Sequence, residues 1–600
     1  MVTIRLLGKP TVDREGQPET SPRGRKAWAL LAYLVLSDRP PSRRQVAEML
    51  FGNADDPLRA LRWTLAELRR CVGDALTLDG DPLRYTSAPG TRIDVELLTE
   101  DNTDPAELLD LDGVLLDGVD LSGHEAFDSW LIVARHRLAA QLDARFRQLT
   151  VASLATGDSA AAIGYAGRLV AANPLEEGNH ELLVRALAMS GDSTAALRQV
   201  ALARDTFARE LGVEISAAVH DAAATGSRSA MTVAVGGRAA ALSELDAGRA
   251  AVAAGATEAG LQCLRRAVSE ADRCGDLVLK ANALAALGSA LVHTARGRDE
   301  EGAILLREAV ELAAKTGDER TAAVAYCELG YVDVQAGRHR TAEAWLAKAD
   351  AVAATDEEHG AIFGVRGMSA SDHADYPAAF THLNASVEHA GRAVDRRQQA
   401  WSLSLIGRAH ILRGEPSQAT GALTRCVELV TEERWIAFLP WPQTLLAELT
   451  LAEGNDVSAA ATFERAWHMS QQLNDACWEG MAARGLGLLS TARGQFDAAD
   501  LWFAEAATRA TRLSDRYQWV HAHVLDSLAE ALLNRGESDR AGAIVASLSR
   551  VAARCDMREL VVRAHLHRHR LGDVTALAAA RVLAADIDNP ALLRLVSTPH

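Results

Sequence analysis

A glycine recurs at about every fortieth residue through most of this chain, and five residues after each one stands an alanine or a second glycine. The pairs are Gly157/Ala162, Gly191/Ala196, Gly255/Gly260, Gly297/Gly302, Gly337/Ala342, Gly414/Ala419, Gly454/Ala459, Gly494/Ala499 and Gly536/Ala541. Ala374/Ala379 fills the gap between the fifth and sixth, with alanine in the glycine slot. From Gly255 onward the steps are 42, 40, 37, 40, 40, 40 and 42 residues, and the step from 157 to 191 is 34. A period of this size marks an array of like supersecondary units. Glycine ends one helix by taking the left-handed conformation that other residues resist. The small residue at +5 lets the next helix approach closely. Each helix pair has an apolar face it cannot bury alone, so neighbours stack into a superhelix.

Composition agrees with a mainly helical, multidomain chain. Its 600 residues are ample for several cores, and aromatics make up only 5%. Seven cysteines are scattered, odd in number and never in a CxxC pair. That pattern predicts reduced thiols in a cytoplasmic protein rather than a disulfide framework or a zinc site. MVTIRLLGKP at the start lacks the apolar run of a signal peptide, and no uninterrupted apolar stretch predicts a membrane span. Charge is uneven. Residues 1–72 carry 13 Lys+Arg against 8 Asp+Glu, whereas the rest carries 50 against 72. A polyanion would therefore find its only attractive surface at the amino-terminal end.

Segments such as AALGSALVHTARGRDEEGAILLREAVELA and YCELGYVDVQAGRHRTAEAWLAKADAVA resemble tetratricopeptide (TPR) repeats. Leu287-Gly288 and Leu329-Gly330 fill the Leu-Gly slot of that family, while Asp333 stands where an aromatic is usual. AAATGSRSAMTVAVGGRAA, residues 222–240, is small and nearly uncharged and reads as a linker. It sets off a superhelix over 241–571, with short capping helices expected over 572–600.

The amino-terminal segment has a different order. VTIRLL (2–7) and Thr11–Asp13 read as strands, Gly24–Leu36 as an apolar helix, and Ser42 as the cap of a second helix carrying Arg43 and Arg44 in its first turn. Pro57 can start a third helix at its first position. ALTL (75–78), DGDP and LRYT (83–86) read as a hairpin that includes Arg84. Strands, three helices and a hairpin make a winged helix-turn-helix. On the third helix Leu58, Leu61, Leu65, Leu68 and Val72 form one apolar stripe at 100° per residue. Trp63 points away from it with Arg59 and Arg70 beside it, and Arg62 and Arg69 flank the stripe. Arginine can read guanine bidentately or clamp phosphate. The candidate DNA-binding residues are Arg43, Arg44, Arg59, Arg62, Trp63, Arg69, Arg70 and Arg84.

The series VTIRLLG, RGRKAWALLAYLVL, RRQVAEMLFG, LRALRWTLAELRR, ALTLDGDPLRYT and IDVELL resembles the OmpR-type winged helix of the antibiotic regulatory protein (SARP) family, which are actinobacterial transcription activators. NPLEEGNHELLVRALAMSGDSTAALRQVALARDTFARELGVEIS resembles their bacterial transcriptional activator domain. Asn173-Pro174, Glu177, His180, Gly191, Ala195-Ala196-Leu197 and Glu210–Glu214 fall in its slots. Ala66-Glu67 replaces a serine–arginine pair, Val200 a frequent tyrosine and Ile215 a frequent proline. Glu67, near Trp63, is expected to repel phosphate. The resemblance divides the chain into a winged helix at 1–95, an activator domain at 96–221, the linker, the superhelix and the cap. It implies promoter DNA as a partner, binding as a homodimer on repeated sites, and a loop Phe51–Pro57 that faces RNA polymerase.

Several chemistries lack their residues. No GxxxxGK[ST] occurs, so the ATPase of larger relatives is missing, and no GxSxG or HExxH is present. His565 and His569 share a helix face, but no acidic or cysteine ligand accompanies them, so no metal and no cofactor is expected. The chain reads as a transcription regulator and not an enzyme, with a protein or peptide as the ligand of its repeats. The alternative is an interaction scaffold whose winged helix no longer binds DNA.

Overall fold

The computed structural model describes residues 2–14, 22, 24–37, 39–98, 103–111, 113–121, 124–224, 237–294, 297–512 and 516–598. The core of the expected linker, 225–236, lies outside the described residues. The chain divides into two compact units, 1–145 with 568–582, and 146–567 with 583–600. The domain limits expected at 95, 221 and 571 fall inside these units.

In the first unit, strands β1 (Val2–Arg5), β2 (Thr11–Arg14) and β5 (Thr91–Ile93) form a small sheet. Its order is β2-β1-β5, with β1 antiparallel to β2 and parallel to β5. Helices α1 (Arg25–Leu36), α2 (Arg43–Phe51) and α3 (Pro57–Val72) follow β2, and the hairpin of β3 (Leu76–Asp79) and β4 (Arg84–Ser87) follows α3. This is the expected winged-helix order. Strand β5 was not foreseen, because TRI is too short to alternate. Its successor Asp94 explains the pairing. The buried Asp94 carboxylate accepts from the amides of Leu6, Leu7 and Val95 at 2.8–2.9 Å. Those bonds satisfy backbone donors at the end of β1 that would otherwise be orphaned. Burial nonetheless pushes the carboxyl above the usual range. Helix α4 (Pro105–Leu109) is short, and α5 (Glu125–Thr156) contributes residues up to Arg145 to this unit and the rest to the next.

The second unit is all helical among its described residues. Helices α6 (Ser159–Ala172), α7 (Glu177–Met189), α8 (Ser193–Glu210) and α9 (Ala217–Ala223) precede eight helical hairpins. These are α10 (Arg238–Ala253) with α11 (Thr257–Cys274), α12 (Leu277–Thr294) with α13 (Asp299–Thr316), and α14 (Glu319–Gln335) with α15 (His339–Val352). Next come α16 (Asp356–Asp372) with α17 (Tyr376–Arg392), α18 (Arg396–Arg413) with α19 (Pro416–Glu432), and α20 (Pro440–Ala452) with α21 (Asp456–Leu473). The last are α22 (Ala476–Ala492) with α23 (Phe496–Ala510), and α24 (Gln518–Asn534) with α25 (Ser538–Arg554). Helices α26 (Arg558–Arg570) and α28 (Pro590–Ser597) follow, while α27 (Ala576–Ala584), between them in sequence, falls mostly in the first unit. The fold is mainly α, a winged helix-turn-helix followed by TPR-like repeats.

Every glycine of the ladder, Gly157 through Gly536, has φ between +68° and +86°, and Ala374 in the glycine slot has φ +64°. The +5 residues are buried wherever alanine holds the place. A second ladder accompanies the first, and the Leu-Gly pairs at 287–288 and 329–330 are two of its rungs. A Cβ at Gly248, Gly288, Gly330, Gly367 or Gly407 would stand 2.4–2.8 Å from a side-chain carbon of Leu264, Leu306, Leu346, Leu383 or Leu423. The first helix of each of the first five hairpins thus offers a flat spot for a leucine of the second. Helix α12 is the one described helix long and apolar enough to cross a membrane by composition. Its Leu279, Ala283, Leu287 and Leu291 lie in the core between hairpins.

Candidate nucleic-acid interface

Helix α3 begins at a cap made by its own sequence. The Asp56 carboxylate accepts from the Arg59 amide at 2.9 Å, and Pro57 holds the first turn. Leu61, Leu65, Leu68 and Val72 are buried, so the apolar stripe packs as expected from Leu61 onward. Leu58 is the exception and is 48% exposed. It lies in the first turn, ahead of the buried stretch, and at the edge of the stripe's arc.

The opposite face is open. Trp63 is 72% exposed, and Arg59, Arg62 and Arg70 are exposed on the same helix. Among the described residues none pairs with the side chains of Arg59, Arg62, Arg70 or Arg84. Arg84 opens β4 opposite Asp79 on the hairpin.

The other three candidates are engaged within the domain. Arg69 donates from Nε to the Leu78 carbonyl at 3.0 Å and joins α3 to β3. Arg43 donates from Nε to the Gly80 carbonyl at 2.9 Å, while its amide donates to Asp81 Oδ1. Arg44 pairs with Glu48 one turn along α2. Arg43 and Arg69 therefore fix the hairpin against α2 and α3. Ser42 caps α2 in a reciprocal box with Gln45, as its sequence suggested. Arg14, which sequence reasoning passed over, donates to the Cys71 carbonyl at 2.9 Å and ties the end of α3 to β2.

Glu67 departs from expectation. It is half-buried, and its carboxylate lies beside Gly24 at the amino end of α1. A helix amino terminus favours an anion. The charge expected to oppose phosphate is thus turned toward α1, 40° round the helix from Trp63 at 100° per residue.

In the second unit the other family departures are absorbed by packing. Val200 and Ile215 join Val184, Ala196, Phe207 and Val219 in one apolar cluster. Asp333, in place of an aromatic, is buried. It accepts from Trp345 Nε1 at 3.1 Å, Arg338 Nε at 2.6 Å and Arg147 Nη1 at 3.4 Å. His180 donates from Nε2 to the Pro174 carbonyl at 2.9 Å and accepts at Nδ1 from Gln199 Nε2, and so orders the turn before α7.

Residues 106–225 match the bacterial transcriptional activator domain family. The chain carries that activator domain. A winged helix-turn-helix precedes the matched residues and TPR-like repeats follow them, the order in which the SARP resemblance would arrange these parts. No curated protein sequence matches the chain. Among solved structures, a Rap protein complexed with competence and sporulation factor is 11% identical, over 60% of this chain and 95% of that one, with a TM-score of 0.37. Mycobacterium tuberculosis EmbR, in complex with a low-affinity phosphopeptide, is 18% identical over 39% and 66%, with a TM-score of 0.29. Yeast Tom70 is 12% identical over 78% and 92%, with a TM-score of 0.32. Scores this low carry no statement about what this chain does.

Proposed function

We propose that this regulator binds double-stranded promoter DNA by laying α3 in the major groove with the hairpin against the flanking backbone. Arg59, Arg62 and Arg70 would contact base edges or phosphates, Arg84 the backbone, and Trp63 the groove wall or sugar edge. Arg43, Arg44 and Arg69 reach phosphate only at the expense of their present partners, and so stand second to the first four. The observation that supports this reading is the set of unpartnered cations on the face of α3 opposite its core stripe. It lies within residues 1–72, where 13 Lys+Arg stand against 8 Asp+Glu in a chain of net charge −17. Polyanions reward that arrangement through counterion release.

The reading extends to the whole chain. The activator domain supports the winged helix, and the TPR-like array takes a protein or peptide and conveys it as regulation. Activation through RNA polymerase at the loop 51–57, binding as a homodimer and a cytoplasmic setting follow from the family likeness. The chain acts as a regulator rather than a catalyst. A scaffold without DNA binding is favoured by one observation, the exposed indole of Trp63, which suits a protein surface as well as a groove.

The test is binding of the full chain to random duplex and to genomic fragments across 50–300 mM salt. A steep fall of log K with log salt, lost in Arg59→Ala/Arg70→Ala, supports the DNA reading. A flat salt response with an affinity unmoved by the double variant sinks it and leaves the scaffold.

A further inference from the structure

Helices of the array hold one another through apolar contacts, with leucine against glycine inside the first five hairpins. A second class of contact inside the same unit joins parts that are far apart in sequence, and polar groups are prominent in it. Arg408 on α18 is 1% exposed. Its guanidinium donates to Asp372 Oδ1 at 2.6 Å, Ser371 Oγ at 3.0 Å and Tyr517 Oη at 2.6 Å, 109 residues away. It lies 4.2 Å from the centre of the Trp519 ring. Tyr517 also donates toward Asp372 at 2.9 Å. Tyr376 on α17 donates to Glu559 on α26, which also accepts from Asn589 at 2.8 Å. His373 meets the Asp556 carbonyl at 2.7 Å.

The same carboxy-terminal helices grip the activator domain. Arg516, next to Tyr517, donates to Glu176 Oε2 at 3.1 Å across 340 residues of sequence. Arg554, at the end of α25, lies 4.0 Å from Glu176. The Asn173 amide, turned with its oxygen toward Arg554, accepts from it at 2.6 and 3.3 Å. Asn173 and Glu176 border the turn that leads into α7.

Repeat arrays are stabilised by neighbour contacts alone, so an open array would need none of these bonds. The groups around Arg408 and Glu559 are buried, so they hold only while paired, and the loss of one strands the others. The hairpins keep their own apolar contacts when the pairing is lost. We propose that the segment Arg516–Glu559 is a keystone. It closes the array onto α16–α18 and at the same time fixes the Asn173–Glu176 turn of the activator domain, so that release of the first contact loosens the second. A partner that opens the array would then be felt at α7 without touching it. This inference concerns the chain free of DNA and stands whether or not the winged helix binds DNA.

Hydrogen–deuterium exchange on the full chain tests it. Arg408→Met keeps the apolar stem and removes the guanidinium. Exchange should quicken in α16, α18 and the start of α24, and also in residues 173–189, by about 5- to 150-fold, the range of ordinary coupling between sites. Because coupling is reciprocal, Glu176→Gln should quicken exchange at the start of α24. If Arg408→Met fails to fold, Tyr517→Phe, which changes no volume beyond the hydroxyl, gives the same readout. Leu264→Ala, in the first hairpin of the array, should loosen its own surroundings and leave 173–189 as they were. Unchanged exchange at 173–189 in both latch variants overturns the proposal. So does an equal loosening in Leu264→Ala, which would mean general destabilisation without a keystone.

Discussion

Arginine serves opposite purposes in the two units. On α3 it stands outside, as Arg59, Arg62 and Arg70, with no partner among the described residues. In the array it stands inside. Arg408 donates to Asp372, Ser371 and Tyr517, and Arg147 on α5, in the same unit, is buried between Glu300 at 2.7 Å and Asp333 at 3.4 Å. An exposed cation costs little to keep and is free to meet an anion from elsewhere. A buried one is worth keeping only while its partners remain, since a lone buried charge is costly. The first unit thus keeps Arg59, Arg62 and Arg70 exposed on α3, and the second uses buried arginine to join its own distant parts.

The largest expected effect comes from breaking the inner arrangement. Arg408→Ala should cost the array about 3–5 kcal/mol, read as a fall in denaturant midpoint, because Asp372 stays buried without its cation. Burial already raises the Asp372 carboxyl to about 6, against the pull of Arg408 and Tyr517. A carboxyl with a raised folded value binds its proton more tightly in the folded state. Its contribution is favourable below the ordinary carboxylate range and is lost as pH rises through about 6. The loss in Arg408→Ala should therefore be smaller at pH 5 than at pH 8. An equal loss at both would mean that Asp372 is not the group left stranded.

The outer arrangement should respond in the opposite sense. Arg59→Ala and Arg70→Ala should each weaken DNA binding by about 1–3 kcal/mol, while the unfolding midpoint moves by no more than about 0.5 kcal/mol. A large stability loss with either would place that arginine in the structural class with Arg408.

Two smaller effects sharpen the comparison at single positions. Val394, at the end of α17, is 76% exposed with φ +59°, a conformation that branched side chains resist. Val394→Gly should stabilise the array by about 1 kcal/mol, and a loss would show an unseen contact for its methyls. Glu67→Arg should cost the winged helix about 0.3–1 kcal/mol by removing an anion from the start of α1. It should also tighten DNA binding at low salt. Tighter binding with unchanged stability would return Glu67 to the exposed face.

How much of this was legible follows from the range of each interaction. The turn glycines, the small residues after them, the capping box at Ser42, the start at Pro57 and the Asp-Gly hairpin all depend on residues a few positions apart. So does the apolar stripe of α3, apart from Leu58, whose exposure depends on where its neighbours end. Arg43 and Arg69 ranked in sequence as candidates with Arg59 and Arg70, although Arg69 already stood at the flank of the stripe. They differ because the hairpin places carbonyls within reach of the first two. Strand β5 is three residues long and is held through Asp94, whose acceptors' partners lie 87 and 88 positions earlier.

The sequence by itself determined the repeat period, the helical hairpins, the order of the winged helix and the place of the basic segment, because local geometry and near-neighbour burial set these. Only the tertiary structure decided which charged side chains are available. Arg408 meets Tyr517, and Glu176 meets Arg516, across distances in sequence where no spacing rule operates. Whether a guanidinium faces water or a carboxylate depends on how far the stacked hairpins curve before they meet, and that is the sum of many small packing rotations rather than the property of any one segment.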